Sequence, residues 1–264
     1  RDFAIMLTAF NNLGYSVEWR VINAAEYGRS QRRRRVFFFV YRNDTVFAQK
    51  IDNLYEKNEE IFEDNRYDDY IFNQGLFAKQ FPIKPIAVKN RHVFYELPND
   101  IVEVSDTFTG TVWNTGIMRH GKYYSIDTES NYKGNPITLG EILQDESEVP
   151  EKYFLTDQSK LEKFQYLRGP KKIERTSSDG HQYIYSEGGM SPYDNLNLPG
   201  RTMLTSEGTV NRYTHLLFVN DKYRLITPIE AERLQDFPDD WTAKKKLADG
   251  SIVEVSDKMR MFFM

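Results

Sequence analysis

Six consecutive large apolar residues, Val36-Phe37-Phe38-Phe39-Val40-Tyr41, constrain this 264-residue chain more than any other feature. An unbroken run of β-branched and aromatic residues is expected of a strand covered on both faces. Upstream, Tyr15-Ser16-Val17-Glu18-Trp19-Arg20-Val21-Ile22 alternates with period two and predicts a second strand. Before that, Phe3, Met6, Leu7, Phe10 and Leu13 recur at spacings of three and four, with Gly14 as a stop, so the chain should begin in an amphipathic helix. The order is helix, strand, loop, strand. The opening inside a helix and the apolar close, Met259-Arg260-Met261-Phe262-Phe263-Met264, are those expected of a fragment, since natural termini are usually polar and frayed.

With 40% apolar and 14% aromatic residues the chain can bury a sizeable core. Its formal charge of −4 excludes a uniformly basic polyanion binder, so any nucleic-acid surface must be local. Cysteine is absent, which excludes disulfides, thiolate zinc sites and a cysteine nucleophile from these residues. No apolar run approaches the roughly 18 residues of a membrane span, and residues 1–14 lack a signal peptide's cationic start, so the expected location is the cytoplasm, with no membrane partner.

Residues 42–65 turn polar and acidic, with Glu56, Glu59, Glu60, Glu63 and Asp64, as in an exposed helix or a mobile insertion. Short β-like stretches follow at Ile86–Val88, His92–Glu96, Thr111–Met118 and Lys122–Ile126, the last two joined by a hairpin turn at Arg119-His120-Gly121. Thr138-Leu139-Gly140-Glu141 has capping-box form and should open a short helix through Leu143. Asp157–Arg168 reads as a helix, Gln182–Tyr185 and Met203–Thr205 as β-like, and Leu216–Val219 as a strand turning at Asn220-Asp221. Thr227-Pro228-Ile229-Glu230 combines an N-cap, a proline at the first helical position and the reciprocal glutamate, starting a helix that Pro238 should end. The expected layout is the end of an α/β sheet over 1–42, an acidic insertion or helix over 43–65, an irregular β-rich domain over 66–215, and a return to the first domain over 216–264.

The strongest chemical feature is Arg29-Ser30-Gln31-Arg32-Arg33-Arg34-Arg35, five guanidinium groups in seven positions of an acidic chain. Guanidinium is permanently charged and forks onto phosphate or carboxylate oxygens. Strand alternation would send Arg33 and Arg35 to one face and Arg32 and Arg34 to the other; a solvated basic loop is the alternative. Further basic clusters are Arg119-His120-Gly121-Lys122 and Lys171-Lys172-Ile173-Glu174-Arg175, interleaved with tyrosines as phosphate and base contacts require, or as a solvated face would also show. Lys244-Lys245-Lys246 suits an exposed helix end. The four histidines lack metal-ligand spacing, and no Gly-x-Ser-x-Gly, P-loop or Gly-x-Gly-x-x-Gly occurs.

Three blocks resemble one family. Ala25–Phe37, containing Gln31-Arg32-Arg33-Arg34-Arg35, is similar to the Gln-x-Arg-x-Arg block of the bacterial DNA cytosine-5 methyltransferases. Gly200-Arg201-Thr202-Met203-Leu204-Thr205 resembles the threonine-bearing stretch that closes their target-recognition domain. Arg224–Pro238 resembles the block that follows it. The resemblance implies the C-terminal part of a class I methyltransferase-type sheet with a target-recognition domain. The implied reaction is methyl transfer from S-adenosylmethionine to carbon 5 of a cytosine flipped out of double-stranded DNA, in restriction-modification. Carried over by position, Arg35 would hold the 2-oxo group of the flipped base, where charge develops once a thiolate adds to carbon 6. Arg33 would support the active-site loop or a nearby phosphate. Thr202 would touch the backbone beside the flipped nucleotide, and Gln31, Arg32, Arg119, Lys171, Lys172, Arg175 and Arg201 are the DNA-contact candidates.

Departures from the family pattern matter as much. The chain has no Pro-Cys-Gln nucleophile loop, no Glu-Asn-Val acid and no glycine-rich loop for S-adenosylmethionine, so these residues alone are expected to be inactive and to need the missing catalytic segment of the same protein. Asp236 stands where relatives often carry glycine. A monomer is expected. The competing reading is a non-catalytic DNA-binding specificity module.

Overall fold

The computed structural model describes residues 1–55, 67–86 and 92–263 and divides into two compact units. Unit 1 comprises Arg1–Tyr27 and Arg34–Gly134, and unit 2 comprises Gly28–Arg33 and Asn135–Met264. Among the described residues no helix is long and apolar enough to cross a membrane.

Unit 1 opens with α1 (Asp2–Asn12) and β1 (Tyr15–Asn23), joined through Gly14 at φ 78°, a conformation that favours glycine. It continues through β2 (Arg34–Arg42), α2 (Val46–Tyr55), β3 (Ile83–Pro85), β4 (His92–Glu96), α3 (Ile101–Thr107), β5 (Thr115–Arg119), β6 (Lys122–Ile126) and β7 (Thr128–Ser130). The main sheet is antiparallel with strand order β2-β1-β5-β6-β4. Alternation distributes its apolar residues to two cores. Val17, Trp19, Met118 and Tyr123 pack with Ala4 and Leu7 of α1, whereas Tyr41, Ile117 and Tyr124 pack with Ala48 and Ile51 of α2. The stretch expected as an exposed helix or a mobile insertion forms the largely exposed helix α2, which buries Ala48 and Ile51 against this second core; Glu56, Glu59, Glu60, Glu63 and Asp64 lie outside the described residues.

The closest approach in the sheet is at Gly116, which faces Trp19 across the β1–β5 ladder. A Cβ there would lie 2.6 Å from Trp19 Cη2 and 2.6 Å from the Tyr124 carbonyl oxygen. Gly116→Ala is therefore expected to cost about 1–3 kcal/mol by overpacking, read as a lower urea midpoint with unchanged slope; a wild-type midpoint would show that the sheet yields freely there.

Two expectations about this sheet need correction. Among the described residues the β2 run is not covered on both faces: β2 is an edge strand, and Val36, Phe37 and Phe38 are 44%, 47% and 37% exposed. An apolar run reports what a strand tolerates, not which neighbours these residues supply. Nor does the sheet respect the boundary expected at residue 42, since β5, from within 66–215, pairs directly with β1. The stretch Ile86–Val88 falls largely outside the described residues, and the strand formed nearby is β3.

Unit 2 contains α4 (Gln158–Arg168), β8 (Lys171–Thr176), β9 (Gln182–Glu187), β10 (Leu216–Val219), β11 (Lys222–Leu225), α5 (Pro228–Leu234), β12 (Lys244–Lys246), β13 (Ile252–Glu254) and α6 (Asp257–Phe263). Its strands form separate antiparallel pairs, and its core gathers Leu139, Ile142, Met203, Leu217, Ile226, Ala231 and Leu234. The capping box at Thr227 is formed, and Glu230 also makes a buried bidentate pair with Arg224, both oxygens at 2.7 Å. Helix α5 ends before Pro238, because Asp236 turns left-handed at φ 62°, the position where a glycine is commoner. The Thr138 box yields a single 3-10 turn at Gly140–Ile142 rather than a helix to Leu143. Met203–Thr205 is not a strand, and Lys244–Lys246 is one rather than a helix end.

Candidate nucleic-acid interface

In unit 2 the first half of the arginine block is held as a strand-like segment. The Gly200 N–H donates to the Ser30 carbonyl at 2.7 Å, the Arg32 N–H donates to the Gly200 carbonyl at 2.8 Å, and Thr202 Oγ1 donates to the Arg32 carbonyl at 2.7 Å. Ser30 Oγ donates to the Leu234 carbonyl at 3.1 Å, which ties the segment to the end of α5. Gly200 fits because a Cβ would meet buried Leu234 Cδ1 at 2.6 Å. Gln31 is buried and donates to the Leu234 carbonyl at 3.4 Å, so it serves this junction and is removed from the DNA-contact candidates. Arg32 remains exposed, while Arg33 is half-buried.

Strand β2 begins only at Arg34, so alternation governs Arg34 and Arg35 and not the four arginines expected to share it. Arg34 lies opposite Asn23 and lines an open cleft of about 460 Å³ in unit 1 with Asn23, Glu26, Tyr27, Asn114 and Asp127. Arg35 lies opposite Ile22, is exposed, and donates to the Arg34 carbonyl at 2.7 Å. No carboxylate among the described residues neutralises it.

Three other DNA candidates are structural. Arg119, expected on the surface, has a fully buried side chain: it donates to Tyr41 Oη at 2.8 Å and to the Ala48 carbonyl at 3.2 Å, and pairs with Asp52. Burial pushes the Tyr41 hydroxyl up to about 12 even beside that guanidinium. Arg201 pairs with Asp194 at 2.5 Å and donates to the Tyr213 and Thr214 carbonyls at 3.0 and 3.1 Å. Lys171, 10% exposed at its side chain, is tied to the Leu167 carbonyl at 2.7 Å and to Glu187 at 3.1 Å. A basic residue in sequence does not say whether a carboxylate waits for it in the fold.

Asp194, which no local pattern singles out, is the hub of unit 2. Its buried carboxylate accepts from Arg168 at 2.7 Å, from Arg201 at 2.5 and 3.1 Å, and from the Leu216 N–H at 3.0 Å. Burial raises its pKa, but the Arg201 hydrogen bonds and the surrounding cations overcome that and hold it well below the usual 3.8. Nearby, buried His215 is oriented by Glu207, with Nδ1 to Oε2 at 3.0 Å and the His215 backbone N–H donated to Oε1 at 2.7 Å.

The β8–β9 ribbon is exposed where its base is not. Lys171, Arg212 and Glu187 brace the base, Arg212 donating at 2.7 Å to the Leu167 carbonyl and at 3.1 Å to Glu187. Beyond it Lys172 and Arg175 are exposed, and Arg175 stacks 4.1 Å over the Tyr185 ring.

A model of the C-5 cytosine-specific DNA methylases matches residues 1–253. The Type II methyltransferase M.Sau3AI of Staphylococcus aureus is 51% identical over 242 residues, 92% of this chain and 55% of that protein. The Type II methyltransferase M.MthTI of Methanothermobacter thermautotrophicus is 44% identical over 43 residues, 16% of this chain and 13% of that protein. The chain thus spans about half the length of the Staphylococcus aureus relative or less of the other.

Proposed function

Because the chain belongs to the C-5 cytosine-specific DNA methylase family, we propose that it is the part of such an enzyme that recognises the DNA target and supplies one catalytic arginine. The complete enzyme methylates carbon 5 of a flipped cytosine in duplex DNA as a cytoplasmic monomer, and the Type II designation of both relatives supports a place in restriction-modification. Target recognition lies within residues 66–215, and the nucleophile belongs to the remainder of the polypeptide, because no cysteine is present here.

The observation that carries this reading is β2. A nine-residue edge strand with exposed Val36, Phe37 and Phe38 is incomplete as a surface, and Arg35 stands on it without a neutralising carboxylate among the described residues. In our reading the catalytic segment covers this edge, and Arg35 donates to the 2-oxo oxygen of the flipped base as charge develops on the ring. Arg33 steadies the same loop. S-adenosylmethionine supplies the methyl group in this family's chemistry. The cleft of unit 1 does not fit it: the carboxylates of Glu26, Asp127 and Glu129 line it beside the guanidinium of Arg34, Glu129 being paired with Lys84 at 3.0 Å, so the lining offers a methionine carboxylate more negative than positive charge, and no glycine-rich turn lines it. No step is therefore assigned to that cleft.

Arg32 and Arg175 are the exposed cations left for phosphate contact, and Thr202 Oγ1 is bonded to the Arg32 carbonyl. Alanine at Arg32 or Arg175 in the complete enzyme is expected to weaken binding to every duplex alike and to reduce the salt slope by about one unit per contact removed. Unchanged affinity and slope in titrations at several salt concentrations would place both residues outside the interface.

A further inference from the structure

The two faces of the β8–β9 ribbon differ in a way its fold does not require. Register places Lys171, Ile173, Arg175, Tyr183, Tyr185 and Glu187 on one face, where Lys171 and Tyr185 bond Glu187 at 3.1 Å each and Arg175 stacks on Tyr185. The opposite face carries Lys172, Glu174, Thr176, Gln182, Ile184 and Ser186. All six are exposed, Ile184 at 65%, and none of the five polar side chains makes a hydrogen bond or ion pair among the described residues. The turn between the strands is internally fixed by the Ser177 N–H to the His181 carbonyl at 2.8 Å and the Gly180 N–H to the Ser177 carbonyl at 3.0 Å. Among the described residues neither strand pairs with any other. The result is a braced, projecting ribbon with one face of unused donors and acceptors.

Resting on the DNA-methylase reading, we propose that this face enters the major groove of the target duplex and reads base edges. Two strands about 4.8 Å apart and roughly 20 Å long match a groove about 12 Å wide that admits a β-ribbon. The side-chain chemistry is that of base readout rather than of charge neutralisation. Lysine donates to guanine O6 and N7, a carboxylate accepts from the cytosine amino group, glutamine matches adenine N6 and N7, and an aliphatic side chain meets the thymine methyl. Lys172 and Glu174 of β8 and Gln182 and Ile184 of β9 supply these four types on one face. A surface that only positions the phosphate backbone has no use for Glu174 or Ile184.

The test is selection of bound duplexes from a randomised pool by the complete methylase and by its Glu174→Ala, Gln182→Ala and Ile184→Ala variants, with Tyr183→Ala on the opposite face as control. Each of the first three is expected to lose about tenfold or more of its discrimination at one base pair, while non-specific affinity, salt slope and melting temperature stay at wild-type values. Tyr183→Ala keeps the wild-type preference. Variants that select the same sequence as wild type, or that lose affinity for all sequences equally, overturn the assignment of base reading to this face. A wild-type enzyme that binds no duplex removes the methylase reading itself, and this inference with it.

Discussion

Alanine in place of Asp194 is expected to destabilise unit 2 by about 3–5 kcal/mol, the cost of breaking a buried ion pair by removing one partner. The carboxylate is 7% exposed and joins three stretches that are distant in sequence: Arg168 at the end of α4, Arg201 in the segment holding the arginine block, and the Leu216 N–H at the start of β10. Its loss leaves the Arg168 guanidinium, 2% exposed, with carbonyl partners only. The same residue sets an acid limit. Its folded-state pKa is depressed below 3.8, so its stabilisation is complete above that value and is lost as the pH falls through the lower folded value. Urea melts of wild type should therefore lose midpoint below about pH 4, and Asp194→Asn should begin lower and vary less over that range. Equal midpoints for Asp194→Ala and wild type would show that the two arginines find other partners.

In the complete methylase, Arg35→Ala is expected to lower turnover by about 10²–10³-fold, the scale of removing one donor to a developing oxyanion, with a far smaller loss of duplex affinity. The asymmetry follows from where the residue stands. Arg35 shares in no core and holds no other side chain among the described residues, its one bond being to the Arg34 carbonyl. Its removal should therefore leave unit 1 folded. A charge that acts only as the ring becomes negative affects the chemical step and not ground-state binding. Single-turnover methylation at saturating duplex, beside binding titrations, separates the two. Wild-type turnover would remove Arg35 from the active site, and a parallel loss of affinity would make it a phosphate contact.

What the sequence revealed is local in cause. The Thr227 capping box, the helix read from Asp157 and the turns at His120-Gly121 and Asn220-Asp221 are each settled within a few residues, and each formed. The period-two stretch 15–22 became β1 for the same reason. The misread features depend on partners that no local pattern announces. Arg119 and Arg201 read as surface cations until Asp52 and Asp194 reach them from 67 and 7 positions away. Lys244–Lys246 reads as a helix end until β13 offers it a ladder. Of the arginine block, the charge density was legible, but its division was not: Gly28–Arg33 folds with unit 2 and Arg34 returns to unit 1, because Gly200 and Leu234 supply carbonyl and N–H partners only to the first part.

The account rests on the chemistry assigned to the complete polypeptide, and the position of the transferred methyl group tests it most directly. Duplex DNA incubated with the complete enzyme and S-adenosylmethionine, then hydrolysed to nucleosides, should yield 5-methyldeoxycytidine, and the Arg35→Ala enzyme should yield almost none in the same time. Methylation of an exocyclic amino group, on cytosine or on adenine, would contradict it.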